Sequence, residues 1–322
     1  MKKRETCARL AVAACLAVPG MASAQPYPYK PIRLVVGFQA GGAVDISART
    51  VGVPLGAALG QSVVVDNKPG AAGNIASAFV AKATPDGYTL LMTNSTIAFP
   101  SLFKDLQFDI RKDLAPVALI ALGPSVLVVH PSVAAGNVRE LVALAKARPK
   151  PFAYGSGGIG NITHLEMELL NAMTGMRMVH VPYKGAAPSI IATVGGEVQM
   201  VFSSIPAALA QIKAGRIKAI GLSVLKRSSV LPDVPTISES GVPGYDAASW
   251  YGVLAPGGTP KDVVARLGKE IVRIMAAPEM RERFATDGFE PAGGGPAEFA
   301  AFLRVELAKW VKAIEMAGIK PE

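Results

Sequence analysis

Several groups of residues have types and spacings that could carry chemistry. Ser156 and His164, with an aspartate brought from elsewhere, would supply the nucleophile, base and orienting acid of a secreted serine hydrolase. Gly155, Gly157 and Gly160 spell G-x-G-x-x-G between an apolar strand and a helix, the pattern that lays a pyrophosphate on a helix N-terminus. Tyr183 and Lys184 follow another strand, either as a general acid and a cation in a site or as a capping tyrosine and a solvated lysine. Asp45 lies just behind a Gly41-Gly42 pair, where a carboxylate caps the following helix or pairs with a ligand ammonium.

Two of these readings lack a part. The flanks of Ser156 do not match the Gly-x-Ser-x-Gly nucleophile elbow. A dinucleotide site needs an acid about 20 positions beyond its glycines, and Met176 to Val181 holds none. His130, His164 and His180 show no i, i+4 pair and no His-Glu spacing, so no metal and no cofactor are expected. Each histidine reads as structural, His164 being the exception because it faces the glycine turn. What survives is a recurrence of glycine, hydroxyl and amide groups at the ends of strands. Such groups hold an anion through backbone N–H, hydroxyls and water, without means of reacting with it. That favours a receptor.

The elements that must position these groups alternate along the chain. Ile32 to Val36 is a short apolar, β-branched strand, Gly41-Gly42 a turn suited to glycine, and Val44, Ile46, Ala48, Val51 and Leu55 recur at helical spacing. The turn presents free N–H groups at a helix N-terminus, which carries roughly half a positive charge. The plainer reading is a βα turn with nothing bound. Further strands are expected at 62–65, 89–92, 117–122, 126–129, 152–154, 178–181, 198–202, 217–224 and 250–254. Helices fall between them, with Asn137 and Glu140 a cap-like pair at the start of one. Thr93, Asn94, Ser95 and Thr96 form a polar group at one strand end, the edge where open α/β sheets bind ligands. The alternation predicts α/β architecture with mostly parallel sheets flanked by helices. A Pro- and Gly-punctuated connector, 232–244, precedes a final strand. A C-terminal section follows, with a helix capped by Thr259 that has Pro260 in its first turn and runs to about 275, and helices at 278–286 and 296–317.

Residues 1–24 resemble an export signal, with Lys2, Lys3 and Arg4, an apolar Leu10 to Val18, and Ala22-Ser23-Ala24 as the cleavage site. Cleavage after Ala24 makes Gln25 the first mature residue and the location periplasmic. Cys7 and Cys15 both lie in this leader, so the mature chain has no disulfide, thiolate site or cysteine nucleophile. Val12 to Cys15 resembles a lipoprotein box, but the apolar stretch continues past it. The formal charge is +9, of which the leader supplies three net, leaving six on the mature chain. That excess suits an anionic small molecule or a negative envelope surface. The basic residues are scattered, which speaks against nucleic acid. Mean hydropathy is +0.35, yet a long apolar run of the mature chain free of Asp, Glu, Lys, Arg and His, 114–129, is broken by Pro116 and Gly123-Pro124 and is too short to span a bilayer.

The chain resembles the Bug family of extracytoplasmic solute receptors, the binding proteins of tripartite tricarboxylate transporters. The resemblance runs from about Tyr29 to Ile319. It is carried by KPIRLVV and GGAVD at 30–45, VVVDNKPGAAGN at 63–74, ATPDGYTLL at 83–91, KDLAPVALI at 112–120, HVPYKGAAPSI at 180–190, LPDVPTISESGVPGY at 231–245 and SWYGVLAPGGTP at 249–260. It implies a two-domain periplasmic binding protein of type II-like fold with its cleft between domains. One domain would combine 25–125 with 246–322, and the other would be 126–245. It implies a monomer that closes on a small carboxylate held by backbone amides and waters, for delivery to membrane transporter subunits or to a signalling sensor. It also implies one wall of Phe38, Gln39, Gly41, Gly42, Ala43 and Asp45, with Asn94 and Ser95 nearby. The other wall would hold Gly157, Gly160, Asn161, His164, Tyr183, Lys184, Gly185, Ser203 and Ser204. Members usually carry Pro-Phe-Pro-Pro-Gly-Gly where this chain has Gly37 to Gly42, and often an acid where Gln199 stands. Both departures bear on ligand identity, Gln39 by adding a hydrogen bond.

Overall fold

The computed structural model describes residues 26–183 and 185–319; the leader and Lys184 lie outside the described residues. Near the N-terminus, β1 (Ile32–Val36), α1 (Ala43–Leu59), β2 (Val63–Asn67), α2 (Asn74–Ala81) and β3 (Thr89–Asn94) place three parallel strands side by side, β1 in the middle. β4 (Leu114–Gly123) and β5 (Ser125–Val129) follow one another across Pro124 but belong to different sheets. Then come α3 (Val138–Ala147), β6 (Phe152–Ser156), α4 (Ile162–Thr174), β7 (Met178–Pro182), α5 (Ala186–Val194), β8 (Met200–Ser204), α6 (Ile205–Lys213) and β9 (Lys218–Leu222). The chain returns through β10 (Ser249–Pro256), α7 (Lys261–Ala276), α8 (Pro278–Thr286), β11 (Glu290–Gly294) and α9 (Pro296–Ala317).

The sheets run β11-β4-β10-β3-β1-β2 and β7-β6-β8-β5-β9. The α/β class is as expected, but both sheets are mixed rather than mostly parallel. β10 runs against β3 and β4, β11 against β4, and β5 against β8 and β9. The chain moves between the sheets as extended strands, without the crossover helix that a parallel neighbour requires. The two passages are tied together: Ser125 N–H donates to Ser223 Oγ at 2.9 Å, Ser223 N–H to the Ser125 carbonyl at 2.9 Å, and Ala247 N–H to the Ser223 carbonyl at 2.8 Å.

Two details differ from the sequence pattern. β11, of sequence EPAGG, has no apolar alternation to reveal it; it pairs at the edge of β4 with an irregularity between Pro291 and Gly294, where proline is tolerated. Thr259 does not cap α7: Pro260 takes the N-cap position, and the buried Thr259 hydroxyl has no hydrogen-bond partner in the protein. The cap of α3 is as expected, with Asn137 Oδ1 accepting from Glu140 N–H at 3.0 Å.

α9 packs against β4 of one sheet and against α4 beside the other. Its Leu303, Leu307, Trp310 and Ile314 recur at helical spacing and are buried. Trp310 meets Phe99 edge-on at 4.9 Å, and its indole N–H donates to Glu306 Oε2 at 3.0 Å. Trp310→Ala is expected to cost about 3–5 kcal/mol, by loss of burial and creation of a cavity between the two sheets. Urea unfolding of wild type and variant, compared by midpoint at equal slope, checks this.

Candidate functional site

β1, β2 and β3 are parallel and end together. The loop 37–42, the stretch after Asn67, and Asn94-Ser95 therefore share one sheet edge. In that loop Gly41 has φ +81°, which favours glycine, whereas Gly42 has an ordinary extended conformation at φ −79°. Strain therefore sits at Gly41, not at both glycines. Phe38 is half-buried and its carbonyl accepts from Asn67 Nδ2 at 3.1 Å; Gln39 is exposed and its carbonyl accepts from Gly42 N–H at 3.3 Å. Ala43 begins α1, whose N-cap Gly42 offers no side-chain cap.

Asp45 organises this wall. Its side chain is 3% exposed, and it accepts from Gly41 N–H at 2.8 Å, from Arg49 Nε at 3.1 and 3.0 Å, and from Asn67 Nδ2 at 2.9 Å. Burial alone would push the carboxyl pKa up, but the hydrogen bonds from Arg49, Gly41 and Asn67 outweigh it and hold the pKa at about 2. Both oxygens are engaged internally. Asp45 is thus the anchor of the loop before α1 rather than an open partner for a ligand ammonium. Asn94, half-buried, accepts from Thr96 N–H through Oδ1 at 3.2 Å, and the buried Ser95 hydroxyl pairs with Ser249 Oγ at 3.1 Å.

β6, β7 and β8 form a second set of parallel ends, carrying the loop 157–161, Tyr183 and Gly185, and Ser203-Ser204. The glycine loop is largely self-satisfied. Gly157 N–H donates to Thr163 Oγ1 at 2.9 Å, Gly158 N–H to Ser156 Oγ at 3.1 Å, Gly160 N–H to His164 Nδ1 at 3.3 Å and Asn161 N–H to the Gly158 carbonyl at 3.2 Å. The G-x-G-x-x-G pattern therefore shapes a turn, with φ +70° at Gly160, rather than an anion nest. Asn161 Oδ1 caps α4 through Thr163 N–H at 3.1 Å. Ser203 is buried with its hydroxyl on the Ser204 carbonyl at 3.2 Å, while Ser204 is half-buried at the start of α6.

His164 does not reach Ser156 as a hydrolase would require. The serine hydroxyl instead lies 2.6 Å from His180 Nε2, and the two imidazoles stack at 4.0 Å between centroids. Tyr154 stacks on His180 at 4.9 Å and donates its hydroxyl to Glu168. Burial, and for His164 also the neighbouring His180, lowers both histidines to about 4, so both are neutral at pH 7. Burial, with Glu197 nearby, raises the Tyr183 pKa above the usual phenol range.

The two edges approach one another. A Cβ on Gly160 would stand 3.6 Å from Leu102 Cδ1, and one on Gly288 would meet Pro206 Cδ at 2.7 Å. Gln199 lies elsewhere: it precedes β8, at the opposite end from Ser203-Ser204, and its side chain accepts from Ala153 N–H at 2.9 Å. Its replacement of an acid therefore does not bear on the cleft. Residues absent from the expected site are Asn67, Ser156, Thr163 and His180. Asn67 ends β2 and Ser156 ends β6, and polar types at such strand ends were the available signal.

Two pH effects follow. Asp45 has a folded pKa below its unfolded value of 3.8, so its contribution is complete above pH 4 and lost as pH falls through about 2. With Arg49 half exposed, that contribution is about 1–2 kcal/mol. The unfolding free-energy difference between wild type and Asp45→Asn should be constant from pH 5 to 7 and shrink below pH 4. For the histidines the unfolded chain binds more protons than the folded one between pH 6.5 and 4, so their contribution is complete above 6.5 and lost as pH falls through that window. A His164→Gln, His180→Gln double variant should lose less stability than wild type between pH 7 and 4.5, as read by urea midpoints.

Comparison with known proteins agrees with this geometry. The family model described as tripartite tricarboxylate transporter family receptor matches residues 47–319. Protein BugT of Bordetella pertussis is 34% identical over 301 residues, covering 92% of each chain. The structure of R. palustris Rpa4515 with adipate superposes with a TM-score of 0.82 at 36% identity, covering 92% of this chain and 100% of that one. MatC from Rhodopseudomonas palustris with bound malate gives a TM-score of 0.78 at 29% identity, covering 89% and 100%. The family consists of substrate-binding receptors, not enzymes. The chain belongs to the tripartite tricarboxylate transporter receptor family, the Bug-type periplasmic solute-binding proteins.

Proposed function

We propose that this protein is a periplasmic receptor that captures a small carboxylate in the cleft between the two parallel-strand edges. It closes by hinge motion and presents the closed form to the membrane subunits of a tripartite tricarboxylate transporter. In this reading residues 25–125 with 246–322 form one domain and 126–245 the other, and the tied passages at Ser125 and Ser223 are the hinge. The observation that carries the reading is that α1, α5 and α6 all begin at these edges, at Gly42, Gly185 and Ser204, without a side-chain cap. Apart from Pro188 and Pro206, which have no N–H, their first-turn N–H groups have no intrahelical acceptor, and such ends favour negative charge, which at α1 Asp45 already supplies in part. One such end belongs to the first wall and two to the second. An aliphatic dicarboxylate, with one carboxylate for each wall, fits that arrangement best. The adipate and malate bound by two relatives are of this class. Asp45, already satisfied, gives no reason to expect an ammonium on the ligand.

The test is thermal unfolding of the protein lacking residues 1–24, stripped of ligand, against di- and tricarboxylates, acidic amino acids and aromatic acids, each beside its amide. A dicarboxylate at about 100 times its Kd should add about 2.7 kcal/mol, a rise of roughly 5–10 °C, and its diamide none. If no acid raises the midpoint, or acid and amide act alike, carboxylate capture is wrong.

A further inference from the structure

One sizeable cavity lies outside the cleft. It is a groove of about 970 Å³ on the outer face of α1, where α7 and α8 meet it. Ile46 and Val53, seven residues apart on α1, are 41% and 77% exposed on one side, opposite Ile274 and Met280. Helices that only cover a core turn such residues inward, so an open apolar stripe here is available to a partner. Three arginines, Arg49, Arg273 and Arg283, line the same groove against one acid, Glu279. Arg283 has no ion pair among the described residues. Arg49 and Arg273 face Asp45 and Glu270, yet remain 53% and 64% exposed with guanidinium edges to spare.

We propose that this groove is a docking surface for an acidic amphipathic helix of a partner protein, whose apolar face lies on Ile46 and Val53 and whose carboxylates take the arginine forks. The groove is joined to the ligand loop. Arg49 lines it while holding Asp45, and its Nη2 donates to Asn67 Oδ1 at 3.2 Å; Asp45 and Asn67 in turn hold Gly41 N–H and the Phe38 carbonyl. Arg49 is therefore shared between the groove and the network that holds the loop. The groove and its charge stand independently of the receptor reading.

The probes are two synthetic 18-residue amphipathic helical peptides with one leucine stripe, flanked by glutamates in one and by lysines in the other. Each is titrated by fluorescence anisotropy against the ligand-free protein lacking residues 1–24. The glutamate peptide should bind at least tenfold tighter than the lysine peptide. Arg283→Glu should shrink that preference at least tenfold, and Val53→Asp, at an exposed position, should weaken the glutamate peptide at least tenfold. Equal binding of the two peptides, or indifference to both substitutions, overturns the proposal. So does sedimentation showing a dimer that Val53→Asp dissolves, which assigns the groove to a second copy. Binding to anionic lipid vesicles that Val53→Asp abolishes overturns it too, in favour of a membrane surface. The carboxylate panel repeated on Arg283→Glu and Val53→Asp should give the wild-type rise. A panel without any rise overturns ligand capture and leaves the peptide result standing, whereas failure with the peptides overturns the groove alone.

Discussion

The first wall depends on one buried carboxylate. Asp45 is taken out of water, which is costly unless every lone pair is matched. The chain matches it with a backbone N–H four residues earlier, a guanidinium four residues later and an amide from the end of the neighbouring strand. Those three partners belong to the loop, the helix and the sheet, so the ion fixes how they meet. Gly41 has to sit at positive φ for its N–H to point at the carboxylate, and Asn67 has to end β2 beside Val36. Removing one partner leaves an underpaired buried charge and costs more than the bond itself was worth.

The second wall reaches the same result without a charge. Its loop donates to hydroxyl and neutral imidazole acceptors from α4 and the end of β6, while the loop's own Asn161 amide oxygen accepts from the start of α4. Burial keeps the two stacked imidazoles neutral, which is what allows them to lie 4.0 Å apart. The walls thus differ: one is pinned by a permanent ion network, the other by groups whose acceptor strength depends on remaining unprotonated. Behind both, Glu166 is wholly buried near the passages between the sheets. Burial pushes its pKa well up, and neither carboxyl oxygen has a hydrogen-bond partner among the described residues.

How much of this the sequence disclosed depends on whether the signal was local. The β1–glycine–α1 unit, the Asn137 cap and the alternation of the middle section are patterns within a dozen residues, and they appear where expected. Sheet polarity was not legible, because whether β10 pairs beside β3 or elsewhere is decided by contacts more than a hundred residues apart. β11 escaped because two glycines and a proline in five residues carry no strand signature. At the site, residue types at strand ends marked the right edges, but not which atoms were already used. Asp45, Ser95 and the glycine loop were legible as polar; only the fold reveals that each spends its hydrogen bonds on neighbouring protein groups. Gln199 shows the opposite error, a departure from a family pattern given weight before its end of the strand was known.

The distinction between used and unused groups also separates this molecule from an enzyme. Ser156 and His180 stand 2.6 Å apart, closer than many nucleophile–base pairs, and distance alone would invite a hydrolase. Ser156, however, is fully buried, and its oxygen already receives the Gly158 N–H. A nucleophile must present its oxygen to a carbonyl with donors placed around the developing oxyanion. Here the oxygen points into the wall, and three of the four loop N–H groups that would make such a hole have been turned on Thr163, Ser156 and His164. The groups that sequence reading took for chemistry are the framework of the loop. Beside the helix end of α1 the one carboxylate, Asp45, already has both oxygens engaged. Binding without turnover is therefore a consequence of where the hydrogen bonds are spent.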